Sequence, residues 1–245
     1  QAEAYSRLGQ HRRAIAILCG GDINSSDIDR SNNGGEIVLA IEPINASETC
    51  AANSALQIAQ TADDTMGQVA ALGSFGEAYR LSGETEEALT YLEQGRVLSL
   101  ELNEPTLQSA TLSSLGNTTA SLAQVNYRRA NEAEARGDRE AANPLREKAV
   151  DFNNQAIAYF QNSYEIAVAQ QDVSAQVRSL LSLIPVYERA DDVASAQRQR
   201  ALALQTLNQL PDSQTKAFAA IQLADTLEPL TIRQSQTALN TAPLT

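Results

Sequence analysis

The sequence predicts an all-α protein built from helical hairpins. Its apolar residues are dominated by Ala and Leu, whereas aromatic residues make up only 4% of the chain and Trp is absent. Ala, Leu, Gln, Glu and Arg are all good helix formers. Only 12 Gly and 7 Pro punctuate the 245 residues, which favours helices joined by tight turns. The third observation is an internal repeat, because a pattern that starts at Leu72 recurs from Leu112.

The clearest hairpin is predicted over residues 72–95. Leu72, Phe75 and Tyr79 fall on one face of a helix, and Gly83 ends that helix where a left-handed backbone is needed. On the next helix, Ala88 and Leu92 lie one turn apart, and small residues at 76 and 95 let the two helices approach closely. The first half of the pattern recurs in the same order at Leu112, Leu115, Gly116 and Thr119.

This pattern resembles the tetratricopeptide repeat (TPR), and its spacing of about 40 residues is similar to the longer-helix subtype of that family. The resemblance is closest over LGSFGEAYRLSGETEEALTYLEQG, residues 72–95. It implies a right-handed superhelix of hairpins forming a single domain over 1–245. The predicted parts are a first partial repeat at 1–62 with a loop insertion at 19–45, a second repeat at 63–105, a third at 106–171, a fourth at 172–210 and capping helices at 211–245.

The first departure from the repeat is the stretch between Cys19 and Asn45, which is rich in Gly, Asp, Asn and Ser and therefore favours loop. Residues 36–41 could form a short extended segment. A calcium loop is not favoured, because the closing Glu is absent and the Gly is misplaced. Cys19 and Cys50 bracket this stretch. A disulfide between them would contribute roughly 3–4 kcal/mol and indicate a periplasmic or secreted protein, whereas two unpaired thiols would fit the cytoplasm.

The second departure is the third repeat, which is longer than the repeat spacing allows. Two helices, at 106–136 and 143–171, share this insertion equally, and each gains about 14 residues, four turns or ~21 Å. Pro144 fits a helix start with Asn143 as its cap. The two helices are expected to form an antiparallel coiled-coil hairpin. Its predicted seam comprises Leu145, Ala149, Phe152, Ala156, Tyr159 and Ser163 facing Leu112, Leu115, Thr119, Leu122, Asn126, Ala130 and Ala133.

Further along, Pro185 is expected to kink or interrupt the first helix of the fourth repeat. A capping helix is predicted at 216–227, followed by a short helix at 232–239. The paired acids Asp63-Asp64 and Asp191-Asp192 are interpreted as helix caps, which favour Asp.

The resemblance implies that the first helix of each repeat lines a concave surface that binds peptides. The predicted partner-binding residues are Glu77, Arg80, Ser113, Asn117, Arg178, Glu188 and Arg189, although any one of them, taken singly, is more often an ordinary solvated residue. Chaperone-binding members of the family clamp a terminal carboxylate with basic and Asn side chains. Here Asn117 matches, but Gly73 and Ser121 stand where basic residues are needed, so such a clamp is not expected.

Several function classes are disfavoured. The net charge of −12 argues against nucleic acid and anionic membranes as partners, and no apolar run approaches the ~20 residues that span a bilayer. Catalysis has little support, because His11 is the single histidine and no phosphate loop, metal cluster or nucleophile elbow is present. No enzyme activity, cofactor or metal is therefore expected.

The sequence thus predicts a protein–protein interaction scaffold that binds a peptide or partner protein. A second hypothesis follows from Ala78-Tyr79 and the helix at 55–60, whose style is similar to bacterial TPR regions that precede a caspase-like CHAT domain. In that case the repeats would regulate a protease located elsewhere in a longer chain. Self-association through the long hairpin is a third.

Overall fold

The structure, a computed structural model, describes residues 11–19 and 54–227. All regular elements in this part of the chain are α-helices, so the all-α prediction is confirmed there. The chain divides into two compact units, unit 1 at residues 1–104 and unit 2 at residues 105–245. The predicted loop beyond Cys19, its extended segment, Cys50 and the helix at 232–239 lie outside the described residues. The Cys19–Cys50 disulfide therefore stays a prediction.

Unit 1 is organised around one central helix. Its helices are α1 (His11–Leu18), α2 (Ala55–Thr61), α3 (Thr65–Ser82) and α4 (Thr85–Glu101), and α3 packs against each of the other three. The predicted stripe of Leu72, Phe75 and Tyr79 is at most 3% exposed. The rings of Phe75, Tyr79 and Tyr91 stack with centroid separations of 5.0–6.4 Å, which ties α3 to α4 through aromatic contact.

Unit 2 is a chain of neighbouring helices that begins with the two longest. It contains α5 (Pro105–Ala135), α6 (Arg139–Ala169), α7 (Val173–Arg189), α8 (Val193–Leu207) and α9 (Gln214–Asp225). Consecutive helices pack as hairpins, and α9 lies against both α7 and α8. One core cluster joins α6, α7 and α8 around Phe160, and a second joins α7, α8 and α9 around Leu180.

The turns between α2 and α8 recur at regular intervals. Each contains one residue in the left-handed backbone region, namely Asp63, Gly83, Asn103, Gly137, Gln171 and Asp191. The interval is the same across α3, α4 and α7, and it is longer by the same amount across α5 and across α6. The predicted even division of the insertion agrees with this spacing. The added length of about four turns in each long helix nearly preserves the rotational phase of the array.

Acidic N-caps follow several of these turns. Asp64 Oδ1 accepts a hydrogen bond from the Gly67 amide at 2.9 Å, and Asp192 Oδ1 accepts one from the Ser195 amide at 2.9 Å. The interpretation of the paired acids as helix caps is thus confirmed for the second Asp of each pair. The first Asp, Asp63 or Asp191, instead supplies the left-handed turn residue, which Asp tolerates better than most side chains do.

Two proline predictions are corrected. The helix α6 begins at Arg139 with Asp138 as its cap, and Pro144 lies inside it rather than at its start. The turn and cap are already formed by the residues before Arg139, so a second start at Asn143 is unnecessary. Pro185 does not interrupt α7, which runs from Val173 to Arg189. Packing of the residues on either side of Pro185 in the core keeps the helix continuous past the missing amide.

On α5 all predicted seam residues except the half-buried Leu112 are buried, whereas on α6 the seam is shifted. Ala149, Ala156 and Ser163 are fully buried as predicted, whereas Asn153 and Phe160 are buried in place of Phe152 and Tyr159. The reason is that α6 packs against α7 as well as α5, so its buried face is turned toward both. Asn126 is buried, and its amide donates to the Leu122 carbonyl within α5, so it makes no cross-helix hydrogen bond.

Candidate functional site

A groove of about 630 Å³ lies in unit 2 between α5, α6, α7 and α9. Its floor is apolar and includes Phe160, Leu181 and Phe218. Phe160 and Leu181 are buried in the core, whereas Phe218 is 63% exposed. A concave site with an apolar floor and a few polar groups is the usual form of a binding site in proteins.

Four of the predicted partner-binding residues line this groove. Ser113 and Asn117 lie one turn apart on α5, and Arg178 and Arg189 lie toward opposite ends of α7. Sequence spacing places these residues on different repeats, and the packing of α5 against α7 brings them together. The groove is therefore polar along its walls and apolar at its floor.

Arg189 is positioned by a buried asparagine. Its Nη1 donates to Asn153 Oδ1 at 3.0 Å, while Asn153 Nδ2 donates to the Val186 carbonyl at 3.0 Å. Asn153 is only 1% exposed, so the amide has one orientation in which both of its ends are satisfied. Burial lowers the pKa of Arg189 from its usual value, because the charged guanidinium loses part of its hydration.

Arg178 stands where two concave regions meet. It lines the groove and also an adjoining pocket of about 280 Å³ near the start of α5, and Ser113 likewise lines both. The Arg178 side chain is exposed. Within residues 54–227, neither Arg178 nor Arg189 forms an ion pair with a carboxylate. Both cations remain available to an anionic group from outside.

Glu188 does not line the groove. It pairs with Nη2 of Arg200 on α8, a side chain that is only 6% exposed. Arg200 Nε also donates to the carbonyl and hydroxyl oxygens of Thr226, each at 3.2 Å, at the end of α9. This pair links the end of α7 and the end of α9 to the middle of α8, which is a structural position rather than a concave one.

The two predicted residues in unit 1 satisfy each other. Arg80 Nη2 donates to Glu77 Oε1 at 2.7 Å and Arg80 Nε donates to Glu77 Oε2 at 2.9 Å, a bidentate pair one turn apart on α3. Because Arg80 is neutralised in this way, it offers less to an anionic partner than Arg178 or Arg189 does.

A cluster of serine hydroxyls lies beside the groove, which one of its members, Ser113, lines. Ser163 Oγ on α6 lies 3.0 Å from Ser109 Oγ and 2.8 Å from Ser113 Oγ on α5, and 3.1 Å from Ser179 Oγ on α7. The small side chains allow three helices to meet closely, and the hydroxyls satisfy one another away from water. The cluster fixes α7, and with it Arg178, relative to α5.

Sequence reasoning missed Phe160 and Phe218 as groove residues. Because helical periodicity places Tyr159 on the predicted seam of α6, the neighbouring Phe160 is assigned neither to that seam nor to the binding surface. Phe218 lies in a helix that the sequence identifies only as a cap. An exposed aromatic on an amphipathic terminal helix is the signal that could have identified it.

No protein-family model and no curated protein matches the chain. Among residues 11–19 and 54–227, no three His, Cys, Asp or Glu side chains are grouped as metal ligands. In the same part of the chain, every helix is too short or too polar to cross a bilayer.

Proposed function

We propose that this chain is a protein-interaction scaffold whose groove in unit 2 holds a segment of a partner polypeptide. The observation that carries this proposal is the combination of an apolar floor with two arginines that have no carboxylate partner in residues 54–227. Such arginines and exposed aromatic rings are enriched at protein interfaces, because they contribute much contact area and charge for each side chain ordered.

A polypeptide segment suits the groove better than a compact metabolite does. The groove adjoins a second pocket at Arg178 and Ser113, so the concave surface extends along α7 rather than closing around one point. Its polar groups are also spread over several turns of helix, and they do not converge on one atom as they do in most small-molecule sites.

The repeat resemblance is part of the same proposal. Left-handed turn residues at regular intervals, and the packing of the α5–α6 hairpin against α7 within unit 2, support a TPR-like array with one elongated hairpin. In such arrays the partner lies along the first helices of successive repeats. The residues Ser113, Asn117, Arg178 and Arg189 come from two such helices, α5 and α7.

Site-specific photo-crosslinking tests the proposal. A benzoylphenylalanine placed at Asn117, an exposed groove residue, is irradiated in an extract of the source cells and the attached protein is identified by mass spectrometry. The matched control carries the same group at Asn154, which is exposed on α6 outside the groove. The crosslinked segment is then synthesised and its affinity for purified protein is measured.

We expect one polypeptide to be captured reproducibly at position 117 and not at 154. Its synthetic segment should bind the wild-type chain and bind at least tenfold more weakly to Asn117→Trp, which fills the groove, than to Asn154→Trp. Equal capture at both positions would overturn the proposal. So would a segment whose affinity is unchanged by Asn117→Trp. Capture of a second copy of this chain would instead favour self-association, and capture of a protease would favour the regulatory alternative.

A further inference from the structure

The two groove arginines are spaced along one face of an uninterrupted helix. Arg178 and Arg189 are separated on α7 by about three turns, so their side chains leave the helix within about 20° of each other. At a rise of about 1.5 Å per residue, their Cα atoms are about 16 Å apart. Two separate carboxylates can therefore each pair with one arginine.

The charge of this groove is opposite to that of the whole chain. The formal net charge is −12, yet the groove lining contains two arginines and one acidic residue, Asp225. At physiological salt, charges farther than about 8 Å away are largely screened, so the local arginines decide what binds at the groove wall. An acidic segment is therefore complementary to the site although the molecule as a whole is acidic.

Apolar surface lies between the two arginines. Leu181 and Pro185 occupy the intervening turns of α7, with Phe160 behind them and the exposed Phe218 ring opposite on α9. Covering Phe218, which is 63% exposed, is favourable because apolar surface is removed from water. The segment that pairs with the arginines should therefore carry an apolar side chain between its acidic ones.

Pro185 adds a backbone acceptor to the same wall. Because proline has no amide hydrogen, the Leu181 carbonyl lacks its usual donor one turn later. Leu181, Ser182 and Pro185 all line the groove. An extended chain has free backbone amides to offer such a carbonyl, whereas a helix does not.

The separation of the two arginines also suits an extended segment. An extended chain rises about 3.3 Å per residue, so two acidic residues about four to six positions apart would match the separation of the arginines.

Resting on the proposed function, the geometry points to one class of partner: an extended segment with an apolar residue between two acidic residues. Its carboxylates pair with Arg178 and Arg189, and its apolar side chain covers the floor at Leu181 and Phe218. Asn153 is the positioning residue that holds the Arg189 guanidinium at the groove wall.

Selection from a displayed library of random dodecapeptides tests this inference. The wild-type chain is compared with Arg178→Gln/Arg189→Gln and with Arg128→Gln/Arg129→Gln, a control that removes the same charge from exposed positions on the long hairpin. Circular dichroism and thermal midpoints verify that each variant is folded. The leading peptides are then synthesised with each acidic residue replaced by its amide.

We expect the wild type and the hairpin control to enrich peptides with two acidic residues about four to six positions apart. Each acid-to-amide change should weaken binding by about three- to tenfold in the wild type, and much less in the groove variant. If the enriched peptides bind in the groove, as shown by loss of binding to the Asn117→Trp variant, but show no preference for acidic residues, this inference is overturned and the proposed function stands. Failure to enrich any peptide would overturn the inference, and the crosslinking result then decides the proposed function alone.

Discussion

Arginines in the two units have opposite surroundings. In unit 1, Arg80 is held by Glu77 one turn earlier on the same helix, with two hydrogen bonds of 2.7 and 2.9 Å. In unit 2, Arg178 and Arg189 line a groove and have no carboxylate partner among residues 54–227. The sequence groups all three as equivalent concave residues. Their difference shows that the position of a cation in a repeat does not decide whether it is available to bind.

Arg200 is an arginine with a third kind of surroundings, because it lies in the protein core. Like Arg80 it has an acidic partner, Glu188, but unlike Arg80 it is almost fully buried. A buried ion pair is costly to break, because one charge is left without water or partner. The same residue type thus serves unit 2 in two ways, as a structural cation at Arg200 and as an available one at Arg178.

The largest effect is expected from Glu188→Ala. Arg200 would be left buried without its counter-ion, and its Nη1 already makes no hydrogen bond within the structure. We expect unit 2 to lose about 2–4 kcal/mol in free energy of unfolding, measured by urea denaturation. The double variant Glu188→Leu/Arg200→Met should recover most of this loss. If Glu188→Ala is as stable as the wild type, the pair has no structural role.

Unit 1 should be the alkali-sensitive part of the molecule. Burial, reinforced by Tyr91, raises the pKa of Tyr79 to about 12. Because the folded pKa lies above the unfolded value of about 10, this stabilisation is complete below about pH 10 and is lost as pH rises toward 12. We expect stability to fall by about 2 kcal/mol over this window, measured by urea unfolding.

Tyr79→Phe should reduce this alkaline loss, since Phe does not ionise, whereas Tyr127→Phe in unit 2 should leave it unchanged. An identical pH profile for Tyr79→Phe and the wild type would rule out Tyr79 as the cause.

Glycines test the helix contacts of both units. A Cβ at Gly76 would overlap the Leu92 side chain, and one at Gly116 would lie 2.6 Å from Phe160 Cε1. Gly73, one turn before Gly76, has open space. We expect Gly76→Ala and Gly116→Ala each to destabilise by about 1–2 kcal/mol, and Gly73→Ala to stabilise by up to about 1 kcal/mol.

Thermal unfolding of the three variants provides the measurement. Destabilisation by Gly73→Ala would contradict the open surroundings of that position, because nothing lies close enough to meet an added methyl group.

The smallest effect is expected from Glu77→Gln, which frees Arg80. The pair is partly exposed, so its loss should cost no more than about 1 kcal/mol in a double-mutant cycle with Arg80→Gln. A much larger coupling energy would mean that Glu77 and Arg80 support unit 1 in a way that surface pairs do not.

Features that depend on a few neighbouring residues were predictable from the sequence. Gly83 adopts φ +91°, and Asp64 and Asp192 cap helices as predicted, because turn and cap chemistry is local. The repeat spacing and the equal lengthening of the two long helices could also be read from the sequence. Features of the same helices that depend on a third helix were not predictable, as the burial of Asn153 and Phe160 on α6 illustrates.

For the candidate site, the sequence likewise identified residues but not the contacts that they make. Arg178, Arg189 and Asn117 are identified because they lie beside the packing stripe of their helices, which helical periodicity reveals. Glu188 is identified on the same ground, yet it pairs with Arg200 from the next helix. Periodicity gives the direction in which a side chain leaves its own helix, but it carries no information about what the side chain meets there.

The sequence alone determined that this chain is helical, where its turns fall and which helices are lengthened, because hydrophobic period, caps and left-handed turn residues act within one or two turns of helix. Tertiary packing alone decided that α5, α6, α7 and α9 enclose a groove, that Phe218 borders it, and that Arg178 and Arg189 have no carboxylate partner within residues 54–227. Charge pairing and burial depend on distances between helices that are remote in sequence, and these distances are set only when the helices pack.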